Sequence, residues 1–146
     1  MSVSQLEKAM ANLRIGLAEM QNKEEQLDAQ ISQFKQQLRR VPRQAMYGQA
    51  SLEASLAAMG EIEERLADAE AVRRRLLQIK ASTTQELEAL VVLKQVDEAK
   101  TKLSALKRSR GTDEGTLAEI RQLEEFLAVQ GRKAEQAITA RYEERI

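Results

Sequence analysis

Between Leu6 and Val41, apolar side chains recur at alternating steps of four and three residues, and no other feature restricts the fold of this chain as strongly. The series is Leu6, Met10, Leu13, Leu17, Met20, Glu24, Leu27, Ile31, Phe34, Leu38 and Val41, with Glu24 its one polar member. A mean step of about 3.5 residues holds a narrow apolar stripe on one side of an α-helix, as in a helix packed along a partner helix. Ser4, with Glu7 three residues later, forms a capping box at its start. Pro42 is expected to stop it, because the residue before a proline avoids the helical region. The first predicted helix therefore covers about 4–41 and is ~57 Å long.

The remainder of the chain carries the same signal less sharply. Pro42 to Ala50 reads as a loop, and Ser51 is a candidate cap for a second helix. Leu52, Leu56, Met59, Ile62, Leu66, Ala69, Val72, Leu76 and Ile79 continue a stripe. Glu70 and Arg73 then fall where a strict heptad wants apolar residues, so the period is read as drifting there. Thr83 with Glu86 reads as another capping box, although neither Gly nor Pro interrupts the chain at that point. Leu87, Leu90, Leu93, Val96, Leu103 and Leu106 carry the stripe onward to a turn at Gly111–Gly115. Thr116 with Glu119 then caps a last helix bearing Leu117, Ile120, Leu123, Leu127, Ala134 and Ile138. The expected helices are 4–41, 51–109 with a candidate break at 82–84, and 116–145, within one helical domain, 1–146.

Short turns make neighbouring helices antiparallel. About the second turn this sets Lys107 opposite Glu119 and Lys102 opposite Glu124. About the first, the opening helix covers the chain from Ser51 to about Glu88, while the last helix folds back to about Ala81, with little overlap. The fold class is all-α, built of antiparallel coiled-coil hairpins. Two arrangements satisfy it: a three-helix zigzag with a long middle helix of ~90 Å, or a four-helix bundle broken at Ser82–Thr84.

Composition bears on chemistry chiefly through what is missing. The chain has no Cys, no His and no Trp, which removes thiol and imidazole catalysis and the usual zinc and haem ligands. A carboxylate di-metal site on bundle helices needs Glu-x-x-His pairs, which cannot be built without His. Gly111–Gly115 lacks the pattern of a phosphate loop. Catalytic, cofactor-binding and metal-binding residues are accordingly expected to be none. The longest apolar run, Ala89–Leu93, is far too short for a transmembrane segment, and the first residues lack the apolar core of a signal peptide, so the default compartment is cytoplasmic.

Two kinds of residue remain as candidates. Glu24 in the first seam requires a cation, Arg65 or Arg73, and is read either as a register-setting polar residue or as a half-exposed glutamate at a loose seam. The bases, though balanced by acids at 23 each, are clustered. One cluster is Lys35, Arg39, Arg40 and Arg43; a second is Arg73, Arg74 and Arg75 with Lys80; a third is Lys100, Lys102, Lys107, Arg108 and Arg110. They are read either as cations favoured at helix C-termini or solvated faces, or as contacts to phosphate on nucleic acid or an anionic membrane. Met10, Met20, Met46 and Met59 are read mainly as packing residues. The leading expectation is a non-catalytic scaffold or adaptor that self-associates as a homo-oligomer and bridges protein partners. The alternative is a polyanion-binding module using the basic clusters.

Overall fold

A computed structural model of the protein describes residues 2–109 and 113–144. Three helices account for nearly all of them: α1, Val3–Met46; α2, Leu52–Arg108; and α3, Glu114–Glu144, with no strand among the described residues. Arg110, Gly111 and Thr112, from the third basic cluster and the second turn, lie outside the described residues, as does the side chain of Ile138.

Each helix begins on local chemistry. At α1 the hydroxyl of Ser2 accepts from the Gln5 amide at 3.2 Å and the Gln5 side chain accepts from the Ser2 amide at 3.1 Å. The capping box is thus Ser2–Gln5, two residues before the expected Ser4–Glu7. The earlier pair satisfies two orphan amides by the same reciprocal bonding, those of Ser2 and Gln5, and adds half a turn of helix. Ser51 caps α2, its hydroxyl accepting from the Ala54 amide at 3.1 Å. At α3 the carbonyl of Asp113 takes the first helical bond, from the Leu117 amide, so Thr116 lies inside the helix and does not cap it. Asp is a strong N-cap type, and Glu114 adds negative charge at the positive helix end.

Pro42 does not end α1; the helix runs through it to Met46. What ends it is Gly48, at φ +70°, a left-handed conformation that costs glycine little. The Gly48 amide bonds to the Ala45 carbonyl and the Gln49 amide to the Gln44 carbonyl, the paired bonds of a Schellman cap. Continuing past the proline keeps Val41 and Ala45 half-buried on the face that begins at Leu6. It also slides the pairing: Glu7 meets Lys94, where the expected register carried α1 only as far as about Glu88. The displacement is about two and a half helical turns.

α2 is unbroken at Ser82–Thr84. Thr83 does not cap a new helix there. Its hydroxyl donates to the Ile79 carbonyl at 2.8 Å, which satisfies it within the running helix. The four-helix arrangement is therefore not the one adopted. Nor does the period drift at Arg73. Ser55, Met59, Ile62, Leu66, Ala69, Arg73, Leu76, Lys80, Thr83, Leu87 and Leu90 are all buried or half-buried, an unbroken alternation of four and three. Leu52, Leu56, Val72 and Ile79, expected on the stripe, are exposed. At Arg73 and Lys80 the seam carries charge because Glu24 lies across from them.

The packing divides the chain into two compact units, Ile15–Thr83 and Met1–Arg14 with Thr84–Ile146. The first is an antiparallel hairpin of α1 and α2 with a thin core, in which Leu27, Ala69 and Ser55 are the buried side chains among the described residues. The second combines the start of α1, the end of α2 and α3. Leu6, Met10 and Leu90 form its centre, flanked by Leu13, Leu87, Val91 and Leu93. From Ala89 to Lys94 every α2 side chain is buried or half-buried, more than one neighbouring helix can cover. The register expected from the sequence leaves little overlap between the flanking helices, and the observed register carries α1 further along α2, to Lys94. The α2–α3 pairing uses the four charged residues foreseen, but diagonally: Lys102 with Glu119 at 3.3 Å and Lys107 with Glu124 at 3.5 Å. The long lysine stems span the offset along the helix axis.

Candidate functional site

The 15–83 hairpin brings together one charged cluster that its sequence disperses. Glu24 sits on the α1 seam with its side chain 16% exposed. One carboxylate oxygen accepts from Lys80 Nζ at 2.8 Å, and the other lies 3.6 Å from Arg73 Nη2. Arg73 Nε also donates to Asp28 Oδ1 at 2.7 Å, and Lys80 Nζ to Gln21 Oε1 at 2.8 Å. Arg73 and Lys80 are seven residues apart on α2 and so occupy equivalent seam positions on either side of Glu24.

Of the two partners considered for Glu24, Arg73 is engaged and Arg65 is not; Arg65 pairs with Glu61 on its own helix at 2.7 Å. Lys80, the closest cation, is a partner that the sequence reading misses. The signal for it is present, since it stands one heptad beyond Arg73. The charge-assisted bond from Lys80 to one carboxylate oxygen, with the Arg73 guanidinium 3.6 Å from the other, offsets much of the cost of withdrawing Glu24 from water. Replacing Glu24 with Ala should lower the unfolding free energy by about 1–2 kcal/mol, because Lys80 and Arg73, both partly screened from water, each lose their contact to its carboxylate while Arg73 keeps Asp28. Urea titration checks this, and a change under about 0.3 kcal/mol would mean that the layer is merely a loose, solvated contact.

The basic clusters separate into three situations. Arg73 is committed to the seam, whereas Arg74 and Arg75 are exposed and enter no ion pair among the described residues. Lys102 and Lys107 are drawn into pairs with α3. Lys35, Arg39, Arg40 and Arg43 are all exposed on α1, without an ion pair among the described residues. Arg43 occupies the last turn, where the helix dipole favours a cation. Immediately beyond it, Met46 and Tyr47 are 79% and 80% exposed.

Two shallow surface depressions accompany these features. One, of about 300 Å³, runs along α1 past Asp28, Ile31, Ser32, Lys35, Gln36 and Arg39. The other, of about 360 Å³, lies between α2 and α3 at Ala99, Leu123 and Phe126. Among the described residues no group of three or more acidic side chains is placed to hold a metal ion, and no helix is long and apolar enough to cross a membrane. Comparison with protein-family models, with characterised proteins and with solved structures gave no match to this chain.

Proposed function

We propose that the protein is a non-catalytic coiled-coil scaffold that self-associates and bridges protein partners through the outer surface of its 15–83 hairpin. The observation that carries this reading is the mismatch between core and surface in that unit. Leu27, Ala69 and Ser55 are its buried side chains among the described residues, while Ile15, Leu56, Val72 and Ile79 stand exposed. Val72 and Ile79 are seven residues apart and so fall on one side of α2. Apolar side chains left outside a two-helix seam gain free energy when another helix covers them, at about 25 cal/mol per Å². A scaffold of this kind acts by holding partners at set positions along its helices, and needs no reacting group.

Sedimentation equilibrium over a range of concentrations tests the self-association. The expected result is a concentration-dependent mass above that of one chain, reduced when Val72 and Ile79 are both replaced by Ser. A single-chain mass at every concentration would exclude the oligomer.

A further inference from the structure

We propose that the tip of the α1–α2 hairpin binds an anionic membrane surface, with Arg39, Arg40 and Arg43 engaging lipid headgroups while Met46, Tyr47 and Leu52 enter the interface. Charge supplies the first argument. From Ala29 to Gly60 the chain carries Lys35, Arg39, Arg40 and Arg43 against Glu53 alone, within a molecule of zero net charge. Those cations are exposed and are not consumed by ion pairs among the described residues. At 100° per residue, Lys35, Arg39, Arg43 and Met46 fall within roughly 80° of one another around α1.

Apolar exposure supplies the second argument, and it decides between lipid and nucleic acid. Met46, Tyr47 and Leu52 are 79%, 80% and 67% exposed, all at the end where the helices turn. A phosphate backbone is met by cations and has no use for exposed Met and Leu side chains. A membrane interface takes both, and tyrosine is favoured at its headgroup level. The backbone of the tip suits such a setting too. The Schellman bonds from the Gly48 and Gln49 amides and the Ser51 cap satisfy groups that would otherwise remain open at two helix ends.

The test is flotation of the full chain with vesicles of phosphatidylcholine alone and of an equal mixture with phosphatidylserine, at low and high salt. Binding is expected on the mixed vesicles only, weakening as salt rises. Replacing Arg39, Arg40 and Arg43 together with Gln should lower partitioning on the order of 100-fold, each basic side chain supplying about fivefold. Replacing Met46 and Tyr47 with Ser, with every arginine retained, should lower it about tenfold. The chain contains no Trp, so Tyr47→Trp provides a single tryptophan, excited selectively over Tyr142, whose spectrum should shift to the blue on the mixed vesicles. All of these positions are exposed, and circular dichroism verifies that the helices persist. Absence of flotation, an unshifted Tyr47→Trp spectrum, or undiminished binding by the Met46/Tyr47 variant would each overturn the proposal. So would tighter retention on duplex DNA than on mixed vesicles that ignores the Met46 and Tyr47 replacements, which would assign the tip to nucleic acid.

Discussion

Replacing Leu90 with alanine should lower the unfolding free energy by about 3 kcal/mol, within the 2–5 kcal/mol spread seen when a buried leucine is truncated. Leu90 is 1% exposed and is packed with Leu6 and Met10, inside a shell that includes Leu13, Leu87 and Leu93. Truncation removes the transfer free energy of the lost methyl groups. It also leaves a void whose lining comes from two different helices and cannot close without moving one of them. Val129→Ala is the control. That valine, on α3 and outside the proposed partner surface, is 59% exposed, and its loss should shift stability by no more than about 0.5 kcal/mol. Urea unfolding followed by circular dichroism measures both. A Leu90→Ala loss under about 1 kcal/mol would show that the centre of this unit lies elsewhere.

Pro42→Ala is expected to act in the opposite direction, raising stability by about 2 kcal/mol. Pro42 lies inside α1, where its missing N–H leaves the Leu38 carbonyl without the helical partner that other residues would provide. An interior proline stands about 3 kcal/mol below alanine in helix propensity. Part of that is returned because proline also restricts the unfolded chain, by roughly 0.4–1 kcal/mol. The measurement is the thermal midpoint together with the helical signal. A lower midpoint for Pro42→Ala would favour a helix that ends at the proline, and with it the earlier register.

That register marks the boundary between what sequence alone makes legible and what it does not. All eleven seam positions of α1, from Leu6 to Val41, are buried or half-buried. They are readable because every apolar side chain larger than alanine in that stretch, Ile15 apart, belongs to one stripe. On α2 the apolar residues outnumber the seam positions. Following Leu52, Leu56, Val72 and Ile79 leads off the seam, while Arg73, Lys80 and Thr83 lie on it. Arg73 and Lys80 are met there by Glu24, far away along the chain, so no local window reveals their place. Helix ends failed for a different reason. Ser2–Gln5 competes with Ser4–Glu7, and Asp113 with Thr116, over differences of ~1 kcal/mol that burial elsewhere can outweigh. The basic cluster on α1 was legible as charge. Its availability was not, because the sequence alone could not separate Lys35, Arg39, Arg40 and Arg43, which are exposed, from Arg73, which is engaged across the seam.

The charged layer would also sort helices by what they pair with. A parallel, in-register pair of α1 helices would set Glu24 close to another Glu24, and the same pairing of α2 would bring Arg73 and Lys80 near their own kind. Like charges at a seam are unfavourable and have no counterpart to relieve them. Only α1 against α2 gives the carboxylate its two cations. The layer does not record whether those two helices belong to one chain. An α1 that left its own hairpin would find the same cations on a neighbouring molecule, so strand exchange between copies preserves every bond of the layer while homotypic pairing preserves none.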